Sequence, residues 1–274
     1  MKSDSQIDMG ADSRAISPFL DENFYSQMVA QYGVICSRVH DKERQYKGID
    51  VEILARADQA YVDEKVKIDN INNPPSAISF ELSSVQGGVR RDGWFIGDAI
   101  ETTHYLIGGV FSKNTDKRTL EKSDIDYISA TMVAKHELKS WLSSLGVTYE
   151  YLRTIDGDLR ENPEKYRVRP DERKTFRVFM GKTDKVWLTY SAWLSESPIN
   201  LVVPKSVLDT LPRSRRYVVS RNGFVEIGYP ITTDILYAKM ILVEETVSSA
   251  IERIEALEER MEKVAPSEES DIPY

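Results

Sequence analysis

One cysteine, Cys36, is all the chain contains, so no disulfide can form within it and a reducing compartment is the expected setting. Cys36 falls in an apolar helical pattern and reads as a small buried hydrophobe rather than a nucleophile. Histidine is equally scarce. His40, His104 and His136 are scattered without the short spacings of a zinc site. No apolar run approaches the roughly 20 residues that cross a bilayer. Residues 1–17 are polar and mixed in charge, without the apolar stretch of a secretory signal, so a soluble, cytoplasmic protein is expected. Nucleotide-binding glycine fingerprints are missing too; Gly87-Gly88 and Gly108-Gly109 read as turn and strand features. Basic charge is in deficit, 36 Lys and Arg against 44 Asp and Glu, which argues against unselective binding to nucleic acid.

That deficit is unevenly spread. Residues 151–221 hold 15 basic and 9 acidic groups, whereas residues 222–274 hold 4 and 12. A basic middle between acidic ends is either a solvated face or a phosphate-facing surface. Its densest cluster is Arg213, Arg215, Arg216 and Arg221, supported by Arg167, Arg169, Arg173 and Lys174. Such groups would position a nucleic-acid backbone rather than read its sequence.

With 274 residues, of which 41% are apolar, the chain can bury an ample core. Residues 1–17 read as a flexible tail. An apolar stripe of Phe24, Met28, Val29, Tyr32 and Ile35 predicts a helix from Asp21 to about Arg38, followed by a charged loop over Asp41–Lys47. Strands are expected at Ile49–Ala55, Ala60–Ile68, Ile78–Val85 and His104–Ser112, as an antiparallel meander separated by turns such as Asn72-Asn73-Pro74-Pro75. A long helix should run from Ser123, in a capping box with Asp126, to Leu145, with Gly146 as its stop. Beyond it come strands at Thr175–Met180, Val186–Ala192 and Ile199–Val203, a short helix opened by Pro204, and a hairpin turning at Arg221-Asn222-Gly223. Residues 148–229 are thus read as an extension of the sheet. Met240, Val243, Val247, Ala250, Ile254, Leu257, Met261 and Val264 keep heptad spacing. They predict a coiled-coil helix over 234–265 and a homo-oligomer, with an amphipathic helix on the protein's own core as the alternative. Residues 266–274 read as a disordered tail.

The chemistry concentrates in the first strands. Side chains two apart on a strand share a face, so Asp63 and Lys65 project together. Taken alone, such a pair is usually a solvent-facing ion pair. Asp50 precedes it at hairpin distance, however, and Glu81 follows on the next predicted strand. Glu22 is a possible further carboxylate, although an acid in a first helical turn also suits the helix dipole. Acids and an amine converging on a sheet surface can hold a divalent metal and activate water against a phosphodiester. Alternation sends Glu64 to the opposite face, beside Val62 and Val66, where a carboxylate needs a partner. Either a bulge turns it to the site or it meets a group from the helices, so Asp63 and Glu64 compete for one role. Trp94, Trp187 and Trp193 read as packing residues rather than base-stacking platforms.

The order of a helix, a strand with Asp50, a strand with Asp63-Glu64-Lys65, a further strand and a helix resembles the PD-(D/E)XK nuclease superfamily. So do Gln45-Tyr46-Lys47-Gly48-Ile49-Asp50, Tyr61-Val62-Asp63-Glu64-Lys65, Phe80-Glu81-Leu82 and Gly93-Trp94-Phe95, which are similar to bacterial and phage-type members. Ile49 stands where the family pattern has proline. The resemblance covers about residues 21–145 of a nuclease-like domain over 18–232. It implies an α/β (α+β), restriction-endonuclease-like fold, with a mixed central sheet flanked by helices and the coiled-coil helix appended. It also implies a metal-dependent endonuclease acting on DNA, with RNA as the alternative substrate. Asp50 and Asp63 would ligate Mg²⁺ or Mn²⁺, and Lys65 would orient water or stabilise developing charge. Glu64, Glu81 and Glu22 would be optional ligands. A protein that keeps this fold without catalysis, serving nucleic-acid binding or assembly, is the rival reading.

Overall fold

The computed structural model describes residues 10–56, 58–166, 175–180 and 186–227. The predicted coiled coil, both chain ends, and Arg167, Arg169, Arg173 and Lys174 lie outside the described residues. The chain opens with a helix over 10–32 (α1) that includes two wide π turns, Asp12–Ile16 and Asp21–Tyr25. It buries Ala11, Ala15, Ile16, Phe19, Leu20 and Phe24, so residues 10–17, read as tail, are part of the core. α1 does not reach Arg38. Gly33, at φ +63°, takes the left-handed position that ends it and donates to Val29 O. Strand β1 (Ile35–Arg38) follows, and then a short capped helix α2 (Lys42–Tyr46) where a loop was expected.

A seven-stranded mixed sheet holds, in order, β1, β2 (Val51–Ala55), β3 (Asp58–Lys67), β6 (His104–Ser112), β7 (Ile125–Ala134), β11 (Arg215–Ser220) and β12 (Gly223–Ile227). Only β3 and β6 pair in parallel, with Asp63 opposite Tyr105. The predicted antiparallel meander is therefore incorrect beyond β3. Strand β4 (Ala77–Gln86) leaves the first sheet. With β5 (Val89–Asp92), β10 (Ile199–Pro204), β9 (Trp187–Ser191) and β8 (Thr175–Phe179) it builds a five-stranded antiparallel sheet. The β4–β5 hairpin thus lies in the crossover that a parallel β3–β6 pair requires. Tyr105–Val110 carries the mark of a central strand, a run buried on both faces.

The long helix expected over 123–145 is also corrected. Residues Ile125–Ala134 form β7, paired with β6 and β11, and only Lys135–Ser144 is helical (α3). Ile128, Thr131 and Val133 are branched residues that fit a pleated, doubly covered strand, and that pairing outweighs their helical spacing. The capping box forms two residues earlier than predicted, between Glu121 and Asp124 of the 3₁₀ turn Lys122–Asp124. Residues expected to extend the sheet begin instead with helix α4 (Tyr149–Glu161), whose Leu152, Ile155 and Leu159 make one buried stripe. A short helix α5 (Lys205–Leu208) follows β10.

The first sheet has a core on each face. Leu106, Val62, Ile128 and Val219 meet α1 on one side. Tyr105, Ile107 and Val133 meet the second sheet, α3 and α4 on the other. Val62, Glu64 and Val66 turn to the first side, Asp63 and Lys65 to the second.

Candidate active site

Gly48 sets the position of Asp50. It has φ +77°, and its carbonyl accepts a hydrogen bond from the buried Thr102 hydroxyl at 2.6 Å. A Cβ there would lie 2.3 Å from Thr102 Oγ1. Gly48→Ala is therefore expected to cost about 2–3 kcal/mol from backbone strain and overpacking, read as a lower urea midpoint at unchanged slope. Two residues on, the Asp50 backbone is clamped on both sides. Its N–H donates to Val62 O at 2.9 Å, and its carbonyl accepts from Val39 N–H at 2.8 Å. Its Oδ2 accepts from Glu64 N–H at 2.8 Å, which brings the carboxylate onto β3.

There it meets Asp63, whose side chain is only 3% exposed and whose Oδ1 is 2.5 Å from Lys65 Nζ. Asp63 Oδ2 is buried and has no hydrogen-bond partner. Burial pushes the Asp63 carboxyl up to about 7; Lys65 opposes the rise, and the charge of the neighbouring Asp50 adds to it. Two carboxyl groups thus crowd one low-dielectric site with a single ammonium in direct contact. Lys65 Nζ in turn stands 4.2 Å from the centre of the Trp94 ring, a cation–π contact. The Gly93-Trp94-Phe95 turn holds that ring by hugging β4. Gly93 donates to Leu82 O at 2.6 Å and Phe95 to Glu81 O at 3.1 Å, and a Cβ on Gly93 would lie 2.4 Å from Glu81 O. Tyr105, edge-on to Trp94, closes the floor, and its hydroxyl is buried without a partner.

Glu81, on the second sheet, makes no hydrogen bond or ion pair with Asp50, Asp63 or Lys65 among the described residues. Burial raises its carboxyl, the Ser84 hydroxyl lowers it, and the charge of Lys65 lowers it less. Glu64 does not belong there. Its carboxylate faces α1 and is 5% exposed, held by Arg38 at 2.8 Å and by the Tyr25 hydroxyl at 2.8 Å. A partner from α1 and β1, not a bulge, resolves its burial. Arg38 also bonds Asp21 and helps line a cleft of about 430 Å³ with Tyr25, Cys36 and Val51. Burial pushes the half-buried Cys36 thiol up to about 11, which keeps it unreactive. Glu22 stands apart from the site, exposed and paired with Lys122; it is mid-helix, so the dipole role lapses as well.

The chain matches no family model, no curated protein and no solved structure. What the site can hold therefore rests on its own geometry. Among the described residues, no group of three or more His, Cys, Asp or Glu is arranged to hold a metal. Two carboxylates nonetheless suit Mg²⁺ or Mn²⁺, whose remaining positions are filled by water and substrate phosphate rather than by a protein cage. The partnerless Asp63 Oδ2 and the mutual repulsion of the acids fit such an ion, because a divalent charge removes the penalty that raises Asp63.

Sequence reasoning missed two groups. Asp12, exposed on the first π turn of α1, lies within electrostatic reach of Asp50, Arg38 and Lys65. Lys135, the first residue of α3, is 7% exposed, and its N–H donates to Thr103 O at 2.8 Å. Burial and Lys139 push its ammonium down to about 8, and Asp63 opposes that shift. Nothing in the local sequence around either marks it out from an ordinary surface charge.

The arginine cluster is dispersed. Arg215 and Arg216 occupy opposite faces of β11 and pair with Glu226 and Asp209; Arg213 pairs with Glu137. Arg221 donates to the carbonyls of Ser123 and Ile125, and it lies about 20 Å along the strand from Arg215. These four residues do not form one surface.

Proposed function

We propose that this chain is a metal-dependent nuclease hydrolysing phosphodiester bonds of DNA, with the restriction-endonuclease-like core that its motifs resemble. The observation that carries the reading is the buried Asp63, in direct contact with Lys65 and beside the half-buried Asp50, set where a hairpin meets a parallel strand. The order α1, β2 led by Asp50, β3 with Asp63 and Lys65, β6 and α3 supports it. Asp50 and Asp63 would hold Mg²⁺ or Mn²⁺, which when bound supplies Lewis-acid stabilisation of the charge growing on the phosphoryl oxygens and lowers the pKa of bound water. Lys65, in contact with Trp94, would orient the attacking water and donate to the developing oxyanion. A coiled coil over 234–265 would pair two such sites, which suits cutting two strands.

The test offers plasmid, linear and single-stranded DNA, and RNA, to the full-length protein with each metal. Metal-dependent cleavage is expected, lost in Asp50→Asn and reduced about 10²–10³-fold in Lys65→Ala. A folded protein that cuts none of these substrates with either ion refutes the proposal. The dispersed, internally paired arginines favour one rival: the same fold serving binding or assembly without catalysis. Calorimetry separates the two: a catalytic site should bind Mn²⁺ and lose it in Asp50→Asn, whereas no Mn²⁺ binding and no cleavage, with nucleic acid still bound, would favour that rival.

A further inference from the structure

The N-terminal turn of α3 points away from a purely structural role. Its N-cap, Ala134, offers no side-chain acceptor to the first-turn N–H groups. Lys135 and Lys139 stand one turn apart on this helix, and neither ammonium makes an ion pair among the described residues. Lys139 Nζ instead lies 4.2 Å from the centre of the Tyr149 ring. Lys135 as a residue is more than nine-tenths buried, its stem packed away while its unpaired ammonium keeps access to solvent. Asp63 is the acid whose charge acts on it, yet Asp63 already bonds Lys65 through Oδ1, and its other oxygen has no partner. Ala134, which Lys135 follows, pairs with His104, and His104 with Val62, so the uncapped N-terminus of α3 stands two strands from β3 on the side to which Asp63 turns. That is the environment an anion would complete.

We propose that Lys135 contacts a non-bridging phosphate oxygen of the nucleic-acid backbone, seating the strand on the first turn of α3 beside Asp50 and Asp63. This rests on the nuclease reading and adds to it the group that holds the substrate. The dispersed arginines fail to provide such a group, whereas Lys135 opens a helix two strands from Asp63 on the same side of the sheet. Contact with phosphate gives the unpaired ammonium a counter-charge and is indifferent to base sequence.

The test is fluorescence anisotropy of a labelled DNA duplex across a salt series in EDTA, where no cleavage occurs, with the full-length wild type, Lys135→Met and Lys135→Arg. Lys135→Met should lower affinity about tenfold and reduce the slope of log affinity against log salt by about 0.9, one phosphate contact. Lys135→Arg should keep the slope. The Met variant should melt no lower than wild type, because it removes an unpaired charge; a clear drop would assign Lys135 as a structural counter-ion and overturn the proposal. Unchanged affinity and slope in Lys135→Met, with wild-type binding and cleavage intact, overturn the phosphate contact alone. A wild type that neither binds nor cuts DNA removes both the contact and the nuclease reading.

Discussion

Asp63→Asn is expected to abolish divalent-ion binding and cleavage while making the protein more stable at neutral and alkaline pH. The carboxyl titrates near 7 when folded against 3.8 in the unfolded chain. Between those values the folded state keeps a proton that the unfolded state has released. Stability therefore falls as pH rises from about 4 and levels off above about 7. A shift of this size corresponds to about 4 kcal/mol as an upper estimate, and asparagine carries none of it. Asparagine still offers Lys65 an acceptor, so the strand pairing and the cation–π contact survive. Thermal melts at pH 4, 6 and 8 should show the variant and wild type converging at the acid end and separating by several degrees at pH 8. Adding Mn²⁺ at pH 8 should narrow the gap by stabilising only the wild type. Equal melting points at pH 8 would mean that Asp63 is not held at a cost, and the argument for a built acid pair would fail with it. A site that gives up stability to hold charge in place is a common mark of function.

How far the sequence carries depends on the range of the forces involved. The β2–β3 hairpin and the facing of Asp63 and Lys65 follow from period-two alternation, a local property, and both were legible. The same alternation sends Glu64 away from them. A partner from the helices was an open alternative, but its identity was not legible, because Arg38 lies on a strand read as the end of a helix and Tyr25 meets Glu64 through tertiary packing. Strand β4 shows that limit in another form. Its alternation is the same whichever sheet it joins, and only the doubly buried run Tyr105–Val110 hints that β6 takes its place beside β3. For β7, burial on both faces erases the difference between helical and strand periodicity, so Ile125–Ala134 fits both until its neighbours choose. Lys135 and Asp12 come within electrostatic reach of the acids through tertiary placement alone.

Arg38→Ala should be among the most destabilising single substitutions in the molecule, costing about 3–5 kcal/mol, because it strands a buried carboxylate. Arg38 bonds Glu64 through two nitrogens at 2.8 and 3.0 Å and also holds Asp21, tying α1 to β1 and β3. Without it Glu64 keeps only the Tyr25 hydroxyl. Burial already raises the Glu64 carboxyl above its usual range, and loss of the guanidinium removes the largest effect opposing that. The variant should therefore be most impaired at alkaline pH and partly recovered near pH 5, where Glu64 can protonate. Entry of water through the adjacent cleft sets the lower end of the effect. Glu64→Gln should cost less, since it keeps the Tyr25 bond and removes the charge. Arg38→Met with Glu64→Leu should recover most of the loss, the signature of a pair whose desolvation nearly offsets its attraction. Glu64→Gln should also bind Mn²⁺ as tightly as wild type, in contrast to Asp63→Asn. Loss of metal binding in Glu64→Gln at wild-type stability would return Glu64 to the site and displace Asp63 from it.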